Sequence, residues 1–85
     1  MFNLKFSKQS ARFLEKCDKI LYERIIKKLK ELQNNPFPRD AKRVVGKKDK
    51  TFRVRVGDYR ILYVLFRDDN DLFIADIDKR TKIYD

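Results

Sequence analysis

The stretch FRVRVGDYRILYVLF, residues 52–66, decides the fold. Phe52, Val54 and Val56 alternate with Arg53 and Arg55, the period-2 pattern of a strand with one apolar face. Gly57-Asp58 separates it from a second apolar run, Tyr59 to Phe66, which reads as a central strand. A two-residue connection that begins with glycine favours a primed hairpin turn, with glycine supplying a positive φ at the first position. That turn sets Val56 opposite Tyr59, Arg55 opposite Arg60 and Arg53 opposite Leu62. Opposed residues emerge on one sheet face, and alternate residues along a strand share a face. Arg53, Arg55 and Arg60 therefore project together. Phe52, Val54, Val56, Tyr59, Ile61 and Tyr63 project on the other side, toward any helices.

Downstream, Asp68-Asp69-Asn70-Asp71 reads as a turn and Leu72 to Ile77 as a further strand. A short basic tail, Asp78 to Asp85, contains Lys79-Arg80 and Ile83-Tyr84. Upstream, Phe2, Leu4 and Phe6 alternate with Asn3 and Lys5, which predicts a short strand over 2–6. Ser7 suits the N-cap of a helix over 8–16, with Ala11, Leu14 and Cys17 facing inward. Asp18 suits the cap of a longer helix in which Leu21, Tyr22, Ile25, Ile26, Leu29 and Leu32 recur at helical spacing, while Lys27, Lys28, Lys30 and Glu31 face water. Asn34-Asn35-Pro36-Phe37-Pro38 ends it. Residues 39–50 form a basic connector with Gly46 near its middle. The predicted order is β-α-α-β-β-β in one domain, residues 1–85. Two helices packed on one face of an antiparallel sheet, an α+β fold, are the economical architecture for that order.

Twenty-two Lys and Arg against thirteen Asp and Glu give a net charge of +9. A small domain with that imbalance points to a polyanion or an acidic protein as partner; the bland alternative is a solvated Lys/Glu-rich surface. The chain has no His, which removes the usual neutral-pH general base and His-containing metal sites. Its one cysteine, Cys17, forms no internal disulfide and cannot build a zinc ribbon. No metal and no cofactor are expected, and any catalysis must run on Lys, Arg, Tyr or carboxylates. The first residues do not form a signal peptide, and no apolar run approaches the roughly 20 residues of a membrane span. A cytoplasmic location follows as the expectation.

Like charges directly opposed in a sheet are destabilising. A phosphate, or the charge developing on one, gives a reason for Arg55 and Arg60 to be opposed, because arginine supplies planar, bidentate donors. The competing account is a solvent face whose arginines are unrelated. Between residues 42 and 60 there are eight Lys or Arg and two Asp, a net of +6. Lys42, Arg43, Lys47, Lys48 and Lys50, with Lys79 and Lys82 of the tail, are thus candidates to track a nucleic-acid backbone.

The run from Phe52 to Tyr63, the preceding Val45-Gly46 and the closing Lys79-Arg80-x-x-Ile83-Tyr84 resemble the RelE/ParE toxin superfamily across nearly the whole chain, and its RelE branch most. That resemblance implies a toxin of a type II toxin–antitoxin system that enters the ribosomal A site and cleaves mRNA by attack of a ribose 2′-hydroxyl on the adjacent phosphate. It implies catalytic positions at Arg53, Arg55, Arg60, Arg80 and Tyr84. Arg60 and Arg80 would stabilise the growing phosphate charge, and Tyr84, its ionisation favoured by cations, would be the general base. Arg53 and Arg55 would hold the phosphate and help neutralise the leaving oxygen. Asp78 and Lys79 depart from the family pattern, standing where many relatives have Gly and His, and the extra C-terminal helix of some relatives is not expected. The resemblance also implies an acidic antitoxin. On the arginine face Leu62, Val64 and Phe66 need cover, either from that antitoxin or from the chain's own connector or tail. The alternatives are a ParE-like inhibitor of DNA gyrase and a non-catalytic basic RNA-binding module.

Overall fold

A computed structural model describes residues 1–46 and 50–79. The element order is β1 (Asn3–Phe6), α1 (Lys8–Lys16), α2 (Lys19–Asn34), β2 (Lys42–Arg43), β3 (Thr51–Val56), β4 (Tyr59–Phe66) and β5 (Asp71–Lys79). The strands form one sheet in the order β1-β5-β4-β3-β2. Both helices cover one face of it, as an α+β fold requires.

Each helix starts at the residue its sequence nominated. The Ser7 side chain accepts a hydrogen bond from the Ser10 backbone N–H at 3.1 Å, and the Asp18 carboxylate accepts one from Leu21 N–H at 2.8 Å. Cys17 is extended (φ −74°, ψ 160°) and breaks α1 from α2. Asn35 closes α2 ahead of Pro36 and Pro38. Ile25, Leu29 and Leu32 are fully buried, against Val54, Ile61, Tyr63, Leu72 and Ile74 of the sheet. Burying each such side chain is worth about 1.5–3 kcal/mol, which makes this stripe the main attachment of α2.

Several expectations change. In α1 the buried residue is Ser10, with Phe13 and Leu14 half-buried and Ala11 exposed, so the inward face lies one residue earlier than predicted. Tyr22 faces outward, leaving the inner stripe of α2 to its aliphatic residues. Lys28 does not simply face water; it forms ion pairs with Asp40 at 2.8 Å and Glu31 at 3.4 Å. The sheet is mixed rather than wholly antiparallel, because β1 runs parallel to β5, with Leu4 beside Leu72. The chain between them, through both helices and β2 to β4, is long enough for a parallel return. The connector, expected as a loop, contributes the two-residue strand β2, in which Lys42 pairs with Arg53 and Arg43 with Phe52. Finally, β5 is longer than the predicted Leu72–Ile77.

The hairpin register matches the expected one: Val56 faces Tyr59, Arg55 faces Arg60 and Arg53 faces Leu62. Gly57 has φ +59° while Asp58 is not in the positive-φ region, the signature of a II′ turn. Between β4 and β5 the register shifts at Leu62/Tyr63, because Ala75 is an extra residue on β5. That bulge places Ala75 against Leu62 and Val44 on the helix-free face.

Candidate phosphate-binding site

The helix-free face carries two cross-strand rows. One runs Lys42, Arg53, Leu62, Asp76 across β2, β3, β4 and β5; the next runs Arg55, Arg60, Asp78. Each row contains a directly opposed like-charge pair, Lys42 with Arg53 and Arg55 with Arg60, an arrangement that costs free energy without an anion between them. The arginines differ in burial. Arg60, on the central strand, is only 7% exposed, Arg53 is half-buried and Arg55 is open to solvent. The Nε atoms of Arg53 and Arg60 are sealed from solvent. Burial between neighbouring strands restricts the rotamers of Arg60, so its planar fork is pre-organised for an oxyanion.

The acidic side of the rows is turned partly to the backbone. Asp76 accepts from Ile77 N–H at 2.9 Å and Asp78 from Lys79 N–H at 2.8 Å. These carboxylates, the departures from the family pattern included, bound the cationic patch along β5. Among the described residues no group of three or more His, Cys, Asp or Glu is placed to hold a metal ion. No helix among them is long and apolar enough to cross a membrane.

None of the described tyrosines lies on this face. Tyr59 packs edge-on against Phe13, with ring centroids 5.5 Å apart, and Tyr22 is on α2. Tyr63 is buried on the helix side, where its hydroxyl donates to the Pro36 carbonyl at 2.6 Å. Burial pushes its phenol well above the ordinary tyrosine range, with the Asp40 charge adding to the effect, so Tyr63 is not an ionisable base near neutrality. Cys17 is likewise no nucleophile poised for attack, since burial and then the Asp18 charge raise its thiol.

The sequence-predicted residues separate accordingly. Arg53, Arg55 and Arg60 come together, and Lys42 joins them through β2. Arg43 does not, because its partner Phe52 belongs to the helix side. Lys79 lies opposite Tyr59 and so also leaves the arginine face, while Lys50 is exposed just ahead of β3. Arg80, Lys82, Tyr84, Lys47 and Lys48 fall outside the described residues. The membership of Lys42 was not read from the sequence: a two-residue strand carries too short an alternation to register as one.

Along the same face, Leu62 and Val64 are 6% and 8% exposed, so of the two covers expected for them the chain itself supplies one. Val44 of the connector and Ala75 of the bulge pack on Leu62. Phe66 remains 41% exposed, edge-on to Phe73 at 6.3 Å, at one end of a groove of about 250 Å³ that also includes Thr51, Leu62 and Val64.

Known proteins share this chain's sequence and fold. The sequence profile of the ParE toxin of type II toxin–antitoxin systems matches residues 4–84. The toxin-family protein RelE1 of Methanocaldococcus jannaschii is 30% identical over 86 residues, covering 98% of this chain and 94% of that protein. In the crystal structure of the RelE–RelB complex of Pyrococcus horikoshii OT3, a chain 28% identical superposes with a TM-score of 0.81, covering 96% of this chain and 98% of that one. The RelBE2 toxin–antitoxin complex of Mycobacterium tuberculosis contains a chain of the same fold, 24% identical, with a TM-score of 0.78 over 93% of this chain and 98% of that one. With sequence and fold matched over nearly its whole length, the chain belongs to the RelE/ParE superfamily of toxins of type II toxin–antitoxin systems.

Proposed function

We propose that the protein is a RelE-type toxin that cleaves mRNA in the ribosomal A site and so inhibits translation in the cytoplasm. The observation that carries the proposal is the pre-organised arginine face, with Arg60 buried between Arg55 and the β5 strand. In the reaction, the ribose 2′-oxygen attacks the adjacent phosphorus, the bond to the 5′-oxygen breaks, that oxygen takes a proton from water, and the ends left are a 2′,3′-cyclic phosphate and a 5′-hydroxyl. Arg60 faces the phosphate oxygens and stabilises the charge that grows on them. Arg53 and Arg55, with Lys42, hold the phosphate and its neighbours. By family position, Arg80 adds a second stabilising guanidinium and Tyr84 takes the 2′-hydroxyl proton. The exclusion of Tyr22, Tyr59 and Tyr63 from this face favours Tyr84 for that role. Lys50 contributes to docking on ribosomal RNA, as do Lys47, Lys48 and Lys82 by their charge.

The partner in this reading is an acidic antitoxin, by analogy with the RelB-bound RelE of Pyrococcus horikoshii. The exposed Phe66 beside the groove over Val64 offers it an apolar anchor, and the arginine face offers charge complementarity. Purification of the protein with its genetic neighbours untagged tests this: an acidic protein should travel with it, and recovery of the toxin alone would count against a stable antitoxin.

The test of the activity is purified protein on programmed ribosomes. Cleaved mRNA bearing a 5′-hydroxyl is expected, and Tyr84→Phe should slow the cut sharply. Intact mRNA would reject the nuclease reading. The match to the ParE profile favours a second reading, a gyrase inhibitor without RNA chemistry. Loss of gyrase supercoiling in the same preparation, with mRNA intact, would select it.

A further inference from the structure

At the turn end of the β3–β4 hairpin lies a second cationic pocket, of about 310 Å³, that shares only Arg55 with the proposed reaction site. Arg24, Lys27, Lys28 and Glu31 line it from α2, and Arg55, Val56 and Gly57 from the hairpin. The helical residues stand at spacings of three and four, so they form one stripe facing the turn. The acidic member does not neutralise it, because Glu31 is engaged by Lys28, which also holds Asp40. Arg24, Lys27 and Arg55 have no ion pair among the described residues.

The Arg24 guanidinium reaches the hairpin turn. It lies over Gly57, where an added Cβ would stand 3.0 Å from Nη2 and 3.2 Å from Nη1. The sheet edge beside it is also open. β2 pairs only with Phe52 and Arg53, so beyond them no strand among the described residues flanks β3. In a hairpin closed by the Val56–Tyr59 pair, Arg55 turns its peptide N–H toward that edge. Arg24, Lys27, Lys28 and Arg55 thus border one pocket, with Val56 as its apolar contact.

We propose that this pocket is a second phosphate subsite. It binds a backbone phosphate of the same RNA strand whose neighbouring phosphates rest on Arg53 and Arg60. Arg55 links the two places, being the cross-strand neighbour of Arg60 and a wall of the pocket. This subsite rests on reading the arginine face as an RNA site. Its lining is cationic with one apolar side chain, Val56, which suits an anion and gives little hold for the apolar side chains of a peptide.

Binding of a 2′-O-methyl oligouridylate, which lacks the attacking hydroxyl and stays uncut, tests the subsite. Its affinity is measured against salt for wild type, the double variant Arg24→Gln/Lys27→Gln, and Lys19→Gln at the far end of α2. Arg24, Lys27 and Lys19 are all exposed, and thermal melts check that the variants fold. The double variant should lower the log–log salt slope by about 0.7 for a lost phosphate contact, and Lys19→Gln should keep the wild-type slope. An unchanged slope in the double variant, or no binding by wild type, would overturn the subsite. So would a Gly57 amide resonance that shifts with polyglutamate and not with the oligonucleotide. The nuclease reading fails separately: uncut mRNA on ribosomes with the slope difference intact rejects cleavage and leaves the subsite standing.

Discussion

Gly57 serves two demands at one position. Its φ of +59° belongs to the left-handed region that the II′ turn needs, and its missing Cβ admits the Arg24 guanidinium. Gly57→Ala should therefore lower unfolding stability by about 1–2 kcal/mol, measured by urea denaturation, and disturb Arg24. Unaltered stability would mean that the turn tolerates a side chain and that Arg24 is free to move away. The dipeptide also explains why the arginine face was legible in the sequence. Turn geometry is local, so two residues fix which side chains face each other over the next six. Lys42 was not legible, because its place depends on β2 pairing with a strand eight or more residues away through the connector.

Among the elements, α1 shows how a cap also becomes a tertiary contact. The Ser7 hydroxyl caps the helix at Ser10 and lies 2.8 Å from the Ala75 carbonyl at the β5 bulge, where Gln9 Nε2 also donates at 3.2 Å. Ser7→Ala should cost about 1–2 kcal/mol, and Ser7→Thr, which keeps the oxygen, appreciably less, by the same denaturation measurement. Equal losses would show that the oxygen is not the cause. This contact accounts for the one-residue error in the face of α1. Hydrophobic periodicity turned Ala11 inward, whereas the close approach to β5 favours the small polar Ser10. The parallel pairing of β1 with β5 escaped for a related reason. A strand's alternation reports that one face is buried and carries no information on its neighbours' direction.

At the scale of the molecule, the segment from Pro36 to Asp40, which leads from α2 into the connector, is fastened on two sides. The Lys28–Asp40 ion pair holds it to α2, and the Tyr63–Pro36 hydrogen bond with the Phe37–Phe52 ring contact holds it to the sheet. The hydrogen bond from Lys28 keeps the Asp40 carboxyl below the ordinary carboxylate range despite partial burial. A depressed folded value stabilises above the ordinary pKa of about 4 and is lost as pH falls through the folded one. Asp40 is half-exposed, so the contribution is at most about 1 kcal/mol. Asp40→Asn should therefore be less stable than wild type at neutral pH, with the gap closing in strong acid; a gap that persists there would assign the effect to something other than the ion pair.

The decisive role is that of Arg60, paired across the sheet with Arg55 and Asp78. Single-turnover cleavage of mRNA on programmed ribosomes, wild type against Arg60→Ala, measures it. The buried guanidinium as transition-state stabiliser predicts a fall in rate of about 10²–10³-fold, with Arg60→Lys between the two. Cleavage by Arg60→Ala at the wild-type rate would contradict a phosphate-holding role for this face.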